Sequence, residues 1–63
     1  MIINIEATTG EELARLINQC ETANKVLGNT IFATQTHVVY DETMRCFRYV
    51  AFVYVRTASN NEA

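Results

Sequence analysis

Within residues 44–56, both the odd-numbered and the even-numbered positions are largely hydrophobic. This pattern predicts a strand whose two faces are each largely apolar. Successive side chains of a strand point to opposite sides of a sheet. The apolar residues of the two faces are Phe47, Tyr49, Ala51, Val53 and Val55 on one and Cys46, Val50, Phe52 and Tyr54 on the other. A single antiparallel sheet usually leaves one face polar and wet. We therefore expect a second molecule to cover the face that this chain leaves open.

Shorter patterns account for the rest of the chain. Residues 1–6 predict a first strand. Apolar residues at three- and four-residue steps then trace one stripe of a helix: Leu13, Leu16, Ile17, Cys20, Ala23 and Leu27. Residues 30–40 are rich in β-branched and aromatic side chains, and residues 41–43 have the composition of a tight turn, so residues 30–56 predict a hairpin.

The ends of the helix have sequence signals of their own. Thr9 followed by Glu12 fits a capping box, and Thr8 followed by Glu11 is the alternative frame. Gly28 is a residue type that commonly follows a helix end. The stripe weakens after Cys20, so the last turn could equally be a loop.

These elements predict an α+β fold, a single βαββ domain over residues 1–57 with a disordered polar tail at 58–63. We expect a three-stranded antiparallel sheet in the order 1-3-2, with the helix packed on one face. An 18-residue helix is about 27 Å long, whereas a 13-residue strand is about 43 Å long. The hairpin should therefore extend beyond its helix.

Centring the hairpin on Glu42 and Thr43 predicts its register. On one face Phe32 lies opposite Val53, and this face, which includes the small Ala51, is assigned to the helix. The other face pairs His37 with Arg48 and Ile31 with Tyr54. A slip of one residue would exchange the two faces.

The face away from the helix contains the candidate functional residues. A small anionic or aromatic ligand is predicted to bind His37, Arg48, Tyr54 and Arg56, since cationic groups among aromatic side chains suit such a ligand. The predicted contacts between copies of the chain are Ile31, Val39, Val50, Phe52 and Tyr54.

Composition narrows the functional classes. The net charge of −2 and pI near 5.1 argue against nucleic-acid binding, which depends on positive charge. The two cysteines and one histidine lack metal-ligand spacing, and no nucleophile–base pair is evident. We therefore predict a protein that is not an enzyme and carries no cofactor or metal. With neither a signal peptide nor a membrane span predicted, we expect a cytoplasmic location.

The pattern around Cys46-Phe47 and Tyr54, within a strand-helix-hairpin order, resembles a family of sporulation-associated proteins of about sixty residues from spore-forming bacteria and their phages. In architecture the chain is also similar to dodecin, a flavin-storing βαββ protein, but it contains no tryptophan to stack a flavin. The resemblance implies a small βαββ protein and identifies no active site.

Two functional hypotheses follow. The first is a homo-oligomer that sequesters a small anionic or aromatic, nucleotide-like ligand between subunits. The second is a small inhibitor or adaptor of the phage-accessory type, which binds a larger host protein through the exposed sheet face or a free strand edge.

Overall fold

A computed structural model describes residues 1–57; residues 58–63, predicted as a disordered tail, lie outside the described residues. The elements are β1 (Ile2–Ala7), α1 (Gly10–Val26), β2 (Thr30–Asp41) and β3 (Cys46–Arg56). The three strands form one antiparallel sheet in the order β1-β3-β2. This confirms the α+β fold and the predicted strand order, in which the connection through α1 crosses β3.

The helix begins in the Thr9 frame of the capping box. The Thr9 hydroxyl accepts a hydrogen bond from the Glu12 amide at 3.0 Å, while the Glu12 carboxylate accepts one from the Thr8 amide at 3.5 Å. The first bond satisfies an amide group that a helix start leaves without a partner, and the second ties the residue before the cap to the first turn. At the other end, Gly28 has φ 81°, a conformation that glycine adopts without a steric penalty.

The last turn of α1 is helical, and Asn24 explains why. Its side chain is only 6% exposed, and its Nδ2 donates to the Cys20 carbonyl at 2.8 Å. Its Oδ1 accepts from Asn29 Nδ2 at 2.9 Å, and its carbonyl accepts from the Asn29 amide at 2.8 Å. These bonds join the end of the helix to the start of β2, a link that the hydrophobic pattern did not predict.

The core lies between α1 and the strands β1 and β3. Leu13 of the helix is buried with Ala7 and Ala51, and Ile5, Leu16, Ile17 and Tyr49 pack around them. Ala51 and Val53 are fully buried, which confirms that the helix covers the face assigned to it.

The helix leaves the hairpin end of β2 uncovered on this side. Val38 and Tyr40 of β2 remain 60% and 51% exposed, and Phe47 beside them is also exposed. The predicted overhang of the hairpin is therefore present.

The predicted hairpin register is wrong by two residues. His37 lies opposite Val50, and Arg48 lies opposite Val39. The Asp41 carboxylate accepts hydrogen bonds from the amides of Thr43 and Met44, at 2.9 and 3.1 Å, so β2 continues to Asp41 and the connection occupies residues 42–45. A shift of two residues leaves every side chain on its original face.

A bulge between Ile31 and Ala33 causes a second difference. Ile31 pairs with Val55 and Ala33 with Tyr54, so Phe32 is the extra residue. The predicted pairs of Phe32 with Val53 and of Ile31 with Tyr54 are therefore wrong. Ile31 instead lies opposite Val55, whose side chain is buried, so Ile31 is on the helix side and its predicted place among the outer-face contacts is wrong. Phe32 contacts Tyr54 on the far side of the sheet.

Candidate functional site

The sheet face opposite α1, here called the outer face, is the candidate site. Its rows across the three strands are Ile2, Tyr54 and Ala33, then Asn4, Phe52 and Gln35, then Glu6, Val50 and His37. Within residues 1–57 no helix or strand covers these rows. The centre of the face, Val50 and Phe52, is half-buried only by neighbours in the sheet.

Arg48 lies towards the hairpin end of the outer face and is held between two carboxylates. Its Nη2 contacts Glu6 Oε1, and its Nη1 lies 3.5 Å from Asp41 Oδ2. The pKa of Asp41 is lowered, chiefly by the hydrogen bond from the Met44 amide; desolvation opposes this, and the Thr43 amide and Arg48 lower the pKa further. The charge of Arg48 is thus balanced within the chain, which weakens its attraction for an external anion.

His37 does not form the predicted clamp with Arg48. It lies opposite Val50, and its ring stands edge-on to Phe52 with the ring centroids 6.0 Å apart. His37 and Arg48 are diagonal neighbours on one face, but the Arg48 guanidinium is already paired with two carboxylates.

The other end of the outer face contains an aromatic–arginine cluster, formed by Phe32, Tyr54 and Arg56. The centroids of Phe32 and Tyr54 are 6.2 Å apart, and Arg56 Cζ lies 5.6 Å from the Phe32 centroid. The Tyr54 hydroxyl donates to Gln35 Oε1 at 3.2 Å. Phe32 is 59% exposed, and Arg56 has no ion-pair partner among residues 1–57. The cluster therefore offers an open aromatic surface beside a positive charge that no carboxylate of residues 1–57 balances.

The four predicted ligand residues thus divide between two places. Arg48 and Arg56 are eight residues apart on β3, about 26 Å at ~3.3 Å per residue, so a small ligand cannot contact both. Tyr54 and Arg56 lie together at one end of the outer face, and His37 and Arg48 lie elsewhere on it; their contact with a ligand stays a prediction. Phe32 joins the cluster only because of the bulge, and the regular alternation of strand side chains gave no signal for this.

Other chemistry among the described residues is sparse. Cys20 and Cys46 are free and half-buried. In residues 1–57 no group of three or more His, Cys, Asp or Glu side chains is placed to hold a metal ion. None of the helical structure described here has the length and apolarity needed to cross a membrane.

Comparison with protein-family models, with curated proteins and with solved structures finds no match to this chain. The resemblance to the sporulation-associated family consequently stays a prediction. The functional argument depends on the geometry of the outer face.

Proposed function

We propose that this protein is a non-enzymatic homo-oligomeric binding protein that takes up a planar aromatic anion, of the nucleotide type, at the aromatic–arginine cluster. The single observation that carries the proposal is the exposed Phe32–Tyr54 ring pair with Arg56 beside it. A cytoplasmic location belongs to the same proposal.

Each part of the cluster suits one part of such a ligand. Stacking of a base on an aromatic side chain contributes about 1–3 kcal/mol, and Phe32 has more than half of its surface available for it. The Arg56 guanidinium can form charge-assisted hydrogen bonds with a phosphate or carboxylate. Arg48 is a poorer candidate, because Glu6 and Asp41 already balance its charge.

Self-association is proposed because the chain buries little apolar surface by itself. Among the described residues the buried hydrophobic side chains are Ala7, Leu13, Ala51, Val53 and Val55. A domain of this size is marginally stable unless another source adds burial. A second copy packed on the outer face would cover Val50 and Phe52, with Val39 and Tyr54 at the margin. The ligand would then lie at the edge of that contact.

The experiment is a titration with adenosine monophosphate, guanosine monophosphate and adenosine, followed by calorimetry and thermal shift. The expected result is saturable binding of the monophosphates, with weaker binding of adenosine because it lacks the phosphate. Phe32→Ala and Arg56→Ala should each weaken binding about tenfold or more, since each removes roughly 1.4 kcal/mol or more. Arg48→Ala is the matched control and should bind as the wild type does. Absence of binding by all three compounds, or equal loss in all three variants, would overturn the ligand assignment.

The second candidate function is an adaptor or inhibitor that binds a host protein. The free edge of β2 favours it, because an extended peptide can add a strand there. Affinity purification from a host lysate distinguishes the two functions: one stoichiometric foreign protein would favour the adaptor, and the chain recovered with copies of itself would favour the binding protein.

A further inference from the structure

The outer edge of β2 lacks the usual protection of an edge strand. β2 has 12 residues and its only neighbour in the described sheet is β3, so alternate residues direct N–H and C=O groups away from the sheet. Lysine, proline and inward-pointing charges commonly block such edges. Residues 30–40 contain no Lys, Arg, Asp, Glu or Pro. The bulge at Ile31–Ala33 interrupts only one end and leaves Ala33–Asp41 regular.

We infer that this edge pairs with the same edge of a second copy, antiparallel about a twofold axis at His37. His37 is the midpoint of the regular segment Ala33–Asp41, so this register uses the whole of it. The result is one continuous sheet of six strands with both helices on the same side. This contact is separate from the outer-face contact of the proposed function and does not require a ligand.

Charge favours a second copy in this orientation. Asp41 is the only charged residue of β2. The antiparallel register places it opposite Ala33 of the second copy, near the end of the sheet where Arg56 supplies positive charge. A parallel register would place the two Asp41 carboxylates side by side, and like charges directly opposite one another are destabilising. The rest of the edge is uncharged, so self-pairing meets no other electrostatic opposition.

Apolar burial favours the same arrangement. A twofold axis perpendicular to the sheet keeps each face continuous, so Val38 would lie opposite Thr36 and Tyr40 opposite Thr34 on the helix side. Val38 and Tyr40 are 60% and 51% exposed there because α1 does not reach the hairpin end of β2. Cross-strand neighbours of this kind contribute to sheet stability in addition to the backbone hydrogen bonds. Pairing thus gives Val38 and Tyr40 cross-strand neighbours on the flank of β2 that is open in a single copy.

The test compares two lysine substitutions at exposed positions of the outer face, His37→Lys on β2 and Asn4→Lys on β1. Light scattering and sedimentation equilibrium give the mass against concentration for each variant and for the wild type, and circular dichroism checks folding. In the proposed pairing the two introduced ammonium groups of His37→Lys face each other from directly opposed positions, about 5 Å apart. We expect the dissociation constant to rise at least about fivefold, since such a like-charge pair costs on the order of 1 kcal/mol or more. Asn4→Lys places the same charge on the outer face but away from the β2 edge, so it measures the effect of the charge on the outer-face contact alone, and His37→Lys should lower the mass further.

Disulfide trapping tests the register directly. In a Cys20→Ala, Cys46→Ala background, His37→Cys should form a covalent dimer on oxidation, because directly opposed residues have Cα atoms about 4.5–5.5 Å apart, within disulfide range. Asn4→Cys is the control and should remain largely reduced. Slow amide exchange over residues 33–41 in the unmodified protein at high concentration provides a further measurement that needs no substitution.

The outcomes separate this inference from the proposed function. A mass that falls more with His37→Lys than with Asn4→Lys, together with a His37→Cys dimer, supports edge pairing, whether or not the outer-face contact also forms. If the wild type self-associates but His37→Lys leaves its mass unchanged and His37→Cys forms no covalent dimer, edge pairing is overturned while self-association stands. A monomer at every concentration, or a foreign peptide found on the β2 edge, also overturns it.

Discussion

Phe52→Arg tests whether the outer face is a contact between copies. Phe52 is at the middle of β3, half-buried, with Asn4 and Gln35 on either side. Full burial of a phenylalanine contributes about 1.5–3 kcal/mol, so covering the exposed half contributes roughly 1 kcal/mol in each copy. Twofold symmetry doubles this to about 2 kcal/mol, and burial of an unpaired guanidinium adds at least roughly 1 kcal/mol more. A total of about 3 kcal/mol corresponds to a dissociation constant raised about 100-fold.

The fold of each copy should survive the substitution. The change removes the edge-on contact between His37 and Phe52, which is worth about 0.5–1.5 kcal/mol, while the aliphatic part of arginine still covers the neighbouring strands. We therefore expect the urea midpoint to decrease modestly and the circular dichroism spectrum to be retained. Phe47→Arg is the control, because Phe47 is also an exposed aromatic of β3 but lies on the helix side.

Sedimentation equilibrium over a wide concentration range decides the matter. The expected result is a lower average mass for Phe52→Arg than for the wild type and Phe47→Arg. A wild type that remains at the 7.1 kDa of one chain at all concentrations would refute self-association. Equal masses in the wild type and Phe52→Arg would refute the outer face as its surface.

Three further predictions concern the fold that supports this face. Val53→Ala should lower the free energy of unfolding by about 1.5–3 kcal/mol, because two buried methyl groups are lost and a cavity is left. The control Val26→Ala, at an exposed position, should change it by less than about 0.5 kcal/mol. Urea unfolding measures both variants. Asn24→Ala should cost about 1–3 kcal/mol, because the partners of a buried amide lose their hydrogen bonds, and the exposed Asn18→Ala, measured in the same way, should be nearly neutral. The pKa of Asp41 is depressed below 3.8, so the stability it contributes is present above that pH and is lost as pH falls through the lower folded-state pKa. Urea midpoints between pH 2 and 5 should therefore fall more steeply in the wild type than in Asp41→Asn, and parallel profiles would contradict this.

The sequence was sufficient for the elements and the helix-covered face because both depend on side-chain periodicity, and for the strand order because the hairpin places β2 beside β3 and the helical connection crosses β3. Val53 and Ala51 belong to the face with fewer charges, and that face is buried. Periodicity could not predict the end of α1, since Asn24 is polar and its burial depends on hydrogen bonds to Cys20 and Asn29. Such a local hydrogen-bonded lock has no hydrophobic signature.

The hairpin register could not be read from periodicity either. A shift of two residues preserves both faces, so the hydrophobic pattern fits the predicted and the observed registers equally well. The choice depends on the turn, where the Asp41 carboxylate binds two amides and Arg45 adopts φ 56°. This arrangement, in which the Asp41 side chain accepts hydrogen bonds from backbone amides that follow it, is an Asx turn. Predicting the positions of His37 and Arg48 would have required recognising the turn from residues 41–45 alone.

The bulge links the ligand site to the edge contact. If β2 were regular throughout, Phe32 would lie on the helix side and the aromatic–arginine cluster would lose the ring that Arg56 covers. One extra residue places Phe32 beside Tyr54 instead, and the same irregularity ends the segment available for edge pairing at Ala33. The edge contact, centred on His37, therefore stops short of the cluster. In this arrangement a second copy can occupy the edge of β2 while the aromatic surface stays open to a ligand.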